Sequence, residues 1–264
     1  MLLMLRALWL YRHFIVGSIV NDLRARFGRS KLGGTWMVIN PLSQVAIYAL
    51  ILSNVLAAKL PGIENKYAYA IYLMAGLLAW TLFDEIVNRS LNIFVAQGNV
   101  MKKISFPRIT LPAIVVGSSL LNNFFLFLAM LGVFLLLGHH FSLAVVTLIP
   151  LTALVIIMAM GIGMVLGVLN VFLRDIGLVV PILMQVWFWF TPIVYPENII
   201  PESYRHLLKL NPMYSITNAY HEVLVYNRFP DFMVMIPIFI GSLAMLFLGF
   251  FLFRRASAEM VDVL

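Results

Sequence analysis

Residues Gln97–Pro112 read QGNVMKKISFPRITLP, a polar island between two long apolar runs. Lys102, Lys103 and Arg108 bring positive charge without an acid, Gly98 and Pro107 punctuate the island, and Ile104 and Phe106 give it an apolar face. A chain that leaves hydrocarbon for such a segment and then returns must place it in water, on the side that favours Lys and Arg. The island therefore decides the fold: apolar helices that cross a membrane, joined by polar turns. Composition leaves two readings of it, a loop that only sets topology or the point where the chain receives mechanical input.

The composition agrees. The 264 residues are 62% hydrophobic and 11% charged, with mean hydropathy +0.98, whereas soluble domains carry roughly 25% charged residues. The chain is an integral membrane protein. It has no Cys, hence no disulfide and no thiolate metal site. The formal charge of +7 and pI near 9.8 would suit nucleic acid, but the placement of the charge gives another explanation. Arg6 and Arg12 interrupt the first apolar run and no small-residue cleavage pattern follows, so no cleaved leader is expected. Internal repeats, low-complexity tracts and a soluble domain of independent size are all missing.

Residues 1–33 carry Arg6, Arg12, Arg24, Arg26, Arg29 and Lys31 against the single acid Asp22. Val16, Val20, Leu23 and Phe27 share one helical stripe, with Ser18, Asp22 and Arg26 opposite. This pattern predicts an amphipathic helix lying in the membrane interface with its basic face toward headgroups. Apolar runs of spanning length, which takes ~20 residues, follow within a 34–264 domain at about 34–58, 67–90, 110–137, 143–172, 176–196 and 231–253. The fold class is thus all-α and membrane-integral, with six transmembrane helices. A cytoplasmic N-terminus leaves only Lys59, Lys66, Arg205, Lys209 and Arg228 outside; every other Lys and Arg falls inside. That asymmetry favours cytoplasmic N- and C-termini and accounts for the net charge without nucleic acid.

The outer segment 197–230 is more than a loop. Leu207, Leu208 and Leu210 precede Asn211-Pro212, after which Met213, Ile216, Ala219, Tyr220 and Val223 recur at helical spacing. Two short helices broken at Asn211-Pro212 are expected, because the residue before a proline leaves the helical region. Half-inserted helices are tolerated at membrane depth where they pack on protein or line an aqueous cavity, so an outer gate is expected here.

Catalytic chemistry finds little support. The chain lacks a Gly-Lys dipeptide and so any Walker phosphate loop. His139-His140 offers two imidazoles at a polar turn, where solvated histidines are the ordinary finding; no metal site is assigned. His221-Glu222 lacks the second His of a zinc-protease helix. Asp84 and Glu85 are the acids within a span, and Glu85 can pair with Arg89 one turn on; a structural pair and a transport role both fit. Trp187 to Phe190 form an aromatic run, and Trp36, Tyr48, Trp80 and Phe83 add rings elsewhere. Such rings anchor helices at interfaces or stack on sugar C–H faces. Gly163-x-x-x-Gly167 permits close helix approach.

Several motifs together resemble one family. They are Arg26-Phe27 through Ser30, Leu32-Gly33-x-x-Trp36, Pro41-Leu42, Gly76-Leu77-Leu78-x-Trp80-x-x-Phe83, Lys102 to Arg108 with Leu111-Pro112, Arg174-Asp175-Ile176, Thr191-Pro192-Ile193-x-Tyr195-Pro196 and Leu210-Asn211-Pro212. In this order they resemble the permease subunits of type-2 ABC exporters, nearest the polysaccharide and O-antigen (Wzm-type) group. The resemblance implies a homodimer with two copies of a separate ATPase, which would bind ATP and Mg, in a bacterial inner membrane. The cargo it implies is an undecaprenyl-pyrophosphate-linked polysaccharide. It makes the island a coupling helix over 97–109, through Asn99, Met101, Lys102, Lys103, Ile104, Phe106, Pro107 and Arg108. Periplasmic gate helices then fall within 197–227, with Tyr195, Pro196, Asn211, Pro212, Tyr214 and Tyr220 at the gate. A path for a sliding polymer would draw on a subset of Trp36, Tyr48, Trp80, Phe83, Trp187 and Trp189. Arg24, Arg26, Arg29 and Lys31 would receive the lipid pyrophosphate or simply attract anionic lipid. The same fold could export teichoic acid or a capsular polymer. A solitary ion-coupled transporter would instead require midplane ionisable groups and an internal repeat.

Overall fold

The computed structural model describes residues 6, 8–27, 35–47, 68–98, 107–136, 138–197, 200–257 and 259–260. Its described helices are α1 (Arg12–Phe27), α2 (Trp36–Ile47), α3 (Ala68–Ala96), α4 (Thr110–Leu136), α5 (Leu148–Phe172), α6 (Ile176–Trp189), α7 (Glu202–Leu208), α8 (Pro212–Leu224) and α9 (Phe232–Ala256). A 3-10 turn, Leu143–Thr147, leads into α5, with Ser142 as its N-cap. No strand occurs among the described residues. Among the described residues, four stretches are long and apolar enough to cross a membrane: Tyr69–Ala96, Thr110–Leu136, Leu143–Phe172 and Phe232–Ala256.

The bundle is built around α3, whose Ala70, Ala75, Ala79, Phe83, Ile86, Val87, Leu91 and Phe94 are completely buried. α5 packs along both α3 and α9, and α4 and α8 cover the remaining sides of α3. Glycines set these distances. A Cβ at Gly167 would lie 2.4 Å from the Ser90 carbonyl oxygen and one at Gly163 2.6 Å from Ser90 Cβ, so the G-x-x-x-G face of α5 seats on α3. At the α5–α9 crossing a Cβ on Gly161 would lie 2.7 Å from the Leu246 nitrogen.

Several extents differ from the sequence expectation. α3 continues past 90 to Ala96, and side-chain amides bond along it: Asn88 Nδ2 donates to the Asp84 carboxylate at 2.8 Å and Asn92 Nδ2 to the Asn88 carbonyl at 3.1 Å. α6 ends at Trp189 rather than 196: Pro192 has no amide to donate and disfavours helical backbone at Thr191, whose hydroxyl donates to the Trp187 carbonyl at 3.0 Å. Its 14 residues reach about 21 Å at 1.5 Å per residue, less than a ~30 Å hydrocarbon layer. Of the expected 34–58 run, α2 covers Trp36–Ile47, and 48–58 lies outside the described residues.

The division of faces on α1 also differs. Val16 and Val20 are exposed, whereas Ser18, Ile19 and Asp22 turn toward the bundle. Ile19 lies against Gly117 of α4, where a Cβ would approach its Cδ1 to 2.3 Å. Asp22 accepts from Arg89 Nη2 at 2.8 Å. Leu23, from the expected apolar stripe, is buried, and Ser18 and Asp22, expected on the headgroup face, turn the same way, because Asp22 finds a guanidinium there.

Candidate functional site

At the end of the bundle formed by the close of α6 and the start of α8, one side chain gathers the chain. Asn211 caps α8: its Oδ1 accepts from the Met213 amide at 3.0 Å, and Pro212 follows at the first helical position. The same oxygen accepts from Trp187 Nε1 at 2.8 Å. Asn211 Nδ2 donates to Thr191 Oγ1 at 2.9 Å and to the Phe190 carbonyl at 3.2 Å. A single amide thus ties α6, the bend after it and α8.

The bend itself is held to α3. Tyr72 donates its hydroxyl to the Pro192 carbonyl at 3.2 Å, and Tyr69 donates to the Val194 carbonyl. Tyr195 donates to the Trp189 carbonyl at 2.7 Å. Tyr214 of α8 donates to Glu197 at 2.7 Å; burial, and then this bond to the carboxylate, push its phenol pKa up. Tyr220 is fully buried with its hydroxyl 2.9 Å from Thr152 Oγ1 on α5. His221 stacks on Tyr72 with ring centroids 3.7 Å apart and 19° between planes. Its Nε2 points at Gly76, where a Cβ would come within 2.9 Å, so only glycine allows α8 to sit this close to α3.

The sequence-selected rings fall into two groups. Trp80, Phe83 and Trp187 meet inside the chain: Phe83 and Trp187 pack edge-to-face at 5.1 Å, Trp80 and Trp187 at 6.3 Å, and Trp80 and Phe188 at 5.5 Å. Such pairs fasten α6 to α3. Trp36 and Trp189 stand on the surface, 37% and 57% exposed. Tyr48 lies outside the described residues.

At the opposite end, Pro107 and Arg108 belong to the described part of the island, whereas Asn99, Met101, Lys102, Lys103, Ile104 and Phe106 lie outside it. The Pro107 carbonyl accepts from both the amide and the hydroxyl of Thr110 at 2.9 Å, opening α4. Arg108 Nη1 donates to the Ser257 carbonyl, joining the island to the end of α9. Nearby, Arg89 holds three elements: Nη2 donates to Asp22 of α1 at 2.8 Å, Nη1 to Ser118 of α4 at 2.6 Å and to Glu85 at 3.4 Å. Asn122 Nδ2 donates to the other Glu85 oxygen at 2.9 Å. Arg24 is exposed on α1; the Arg26 side chain and residues Arg29 and Lys31 lie outside the described set.

The family model for ABC-2 type transporters matches residues 18–225. The chain belongs to the ABC-2 type transporter membrane family. Among its relatives, the O-antigen export system permease protein RfbA of Myxococcus xanthus is 28% identical over 273 residues, covering 99% of both chains. A protein of the same name from Klebsiella pneumoniae is 29% identical over 92% of both. The polysialic acid transport protein KpsM of Escherichia coli is 25% identical, over 92% of this chain and 93% of its own.

In this ABC-2 chain the histidine turn has a structural role. His139 Nε2 meets the Leu224 carbonyl at 2.7 Å, and a carbonyl only accepts, so the proton sits on Nε2. The ring also packs edge-on to Phe134 and Phe141. No group of three potential metal ligands occurs among the described residues. Sequence reasoning missed the Asp22–Arg89 pair and the His221–Tyr72 stack. For the first there was a usable signal, a lone acid in a basic segment.

Proposed function

We propose that this chain is the membrane half of an exporter that moves an undecaprenyl-pyrophosphate-linked, O-antigen-type polysaccharide across the inner membrane. The observation that carries the reading is end-to-end similarity, over 99% of both chains, to a permease named for O-antigen export. The chain works as a homodimer with two copies of a separate ATPase that binds ATP and Mg. Each copy has six spans and cytoplasmic termini, the first span passing through α2 and the fifth made by α6 with the bend after it. Residues 99–108 seat on the ATPase, and the tie from Arg108 to the end of α9 carries their motion into the bundle.

At the periplasmic end the Asn211 hub makes α6, the bend and α8 move as one gate. Tyr195, Pro196, Pro212, Tyr214 and Tyr220 are its other parts. The rings with open faces, Trp36 and Trp189, offer stacking to a sliding glycan; Trp80, Phe83 and Trp187 hold the wall behind them. Arg24, Arg26, Arg29 and Lys31 receive the pyrophosphate at the cytoplasmic headgroup level. Similarity to KpsM supports a second reading, with a capsular polymer as cargo.

The test is deletion of the gene with complementation in trans. Surface polysaccharide should disappear, its lipid-linked precursor should accumulate on the cytoplasmic side, and both should be restored by the wild-type chain. Identification of the missing polymer separates O-antigen from capsule. An unchanged surface with no accumulated precursor would refute both.

A further inference from the structure

α4 and α5 flank α3 but make few direct contacts with each other. Between them lies a cleft of about 420 Å³, floored by Leu78 of α3 and walled by Leu120, Phe124 and Phe127 on α4 and by Leu148 and Ile149 near the start of α5. Both walls belong to stretches long and apolar enough to cross a membrane, so the cleft opens sideways toward hydrocarbon. Its rim is apolar and uncovered: Phe124 is 50% and Ile149 73% exposed. Two polar side chains line it, and both are engaged within the chain. Asn123 Nδ2 donates to the Leu78 carbonyl at 2.9 Å, and Thr152 Oγ1 pairs with the Tyr220 hydroxyl at 2.9 Å. No charged residue lines it among the described residues.

A void of this size lined by carbon forfeits dispersion contacts along its whole surface, and water gains nothing where the polar groups are already paired. The occupant is therefore apolar. A helix about 10 Å across fills roughly 120 Å³ per residue of rise, so one of ~20 residues that spans the membrane needs several times the room the cleft has. The cleft is too small for a helix from a second copy and fits a narrow flexible chain. A chain tethered to pyrophosphate would bring a multiple negative charge to a lining that offers no cation among the described residues, whereas a zwitterionic phospholipid headgroup carries its own.

We propose that this cleft binds one acyl chain of a membrane phospholipid, in the outer-leaflet half of the bilayer under the orientation given above. The bound chain completes the α4–α5 wall and presses on Thr152, whose hydroxyl partner Tyr220 belongs to α8. Occupancy then stiffens the support of the gate helix.

The experiment uses the full-length chain in vesicles of phosphatidylethanolamine and phosphatidylglycerol, doped with a phosphatidylethanolamine bearing a diazirine on its acyl chain. Crosslinks are mapped by peptide mass spectrometry. Labelling at Leu120, Phe124 and Ile149 should saturate with probe dose, whereas labelling at Phe239, exposed on α9, should rise linearly. Ala153 also lines the cleft, and Ala153→Trp should lower cleft labelling at least fivefold without changing Phe239. If the Trp variant fails to accumulate in the membrane, Ala153→Leu replaces it, and saturation in the wild-type chain decides. Linear labelling at both places would mean ordinary annular lipid and overturn the proposal. So would a diazirine-bearing polyprenyl phosphate that displaces the phospholipid probe, or a photocrosslinker in place of Phe124 that joins two copies of the chain.

Discussion

Replacement of Asn211 by Ala should be the most damaging single truncation at the junction of α6 and α8. It removes the cap acceptor for the Met213 amide at 3.0 Å, worth about 1 kcal/mol. It strands the half-buried Trp187 indole N–H, now bonded at 2.8 Å, at about 1–3 kcal/mol. It also releases Thr191 Oγ1, fully buried and bonded at 2.9 Å, though side-chain hydrogen bonds between membrane helices average only ~0.6 kcal/mol. The expected loss is roughly 2–4 kcal/mol. Asn211→Asp keeps the cap and the indole acceptor and loses the two donations, so it should cost about half as much. Trp187→Phe retains a ring and should cost about 1 kcal/mol. The assay is reversible unfolding in mixed micelles by a double-mutant cycle, with surface polysaccharide as the functional readout. Asn211→Ala and Trp187→Phe share one bond, so their double mutant should be less damaging than the sum by about 0.5–1.5 kcal/mol. Additivity to within ~0.3 kcal/mol would refute the hub, as would normal export by Asn211→Ala.

Gly167→Ala drives a methyl to 2.4 Å from a backbone oxygen that cannot rotate away; a loss of about 1–3 kcal/mol and low membrane abundance are expected. Gly132→Ala, which meets open space, is the control and should be silent in the same immunoblot. Asp22→Asn should free α1 at a cost of about 1 kcal/mol, because the pair is partly exposed, while Arg89→Leu, which also takes the guanidinium from the Glu85 carboxylate and a donor from Ser118, should cost more; protease cleavage within α1 reads both. Phe106→Ala should leave the chain inserted yet lose ~2 kcal/mol or more of ATPase affinity, about thirtyfold, measured by co-purification of the ATPase; full retention would make the island a topological loop. The double variant Arg26→Ala, Arg29→Ala should bind a lipid-pyrophosphate in vesicles less tightly, and unchanged binding would assign those arginines to anionic lipid alone.

What the sequence makes legible follows from which physical signals are local. The helix expected over 110–137 is found at Thr110–Leu136, because continuous hydropathy bounded by Pro107 and Gly138 depends on neighbours in the chain. The break at Asn211-Pro212 is local in the same sense: α7 ends at Leu208 and α8 starts at Pro212, as the restricted residue before a proline requires. G-x-x-x-G at 163–167 announces a close approach, though not that Ser90 of α3 is what approaches. Periodicity fails where a polar group has a distant partner. On α1 it assigns Asp22 to the headgroup face, since an apolar stripe and a polar stripe are all it can distinguish. The structure turns Asp22 inward, where it pairs with Arg89 on buried α3 at 2.8 Å, closer than Glu85 at 3.4 Å. The same reasoning applies to the rings. Abundance marks Trp80, Phe83 and Trp187 as candidates for a sugar path, but an aromatic face is covered or open only once helices are packed, and these three cover one another. A search for unsatisfied groups finds what periodicity cannot: a guanidinium within a span demands a carboxylate, and residues 1–33 contain just one.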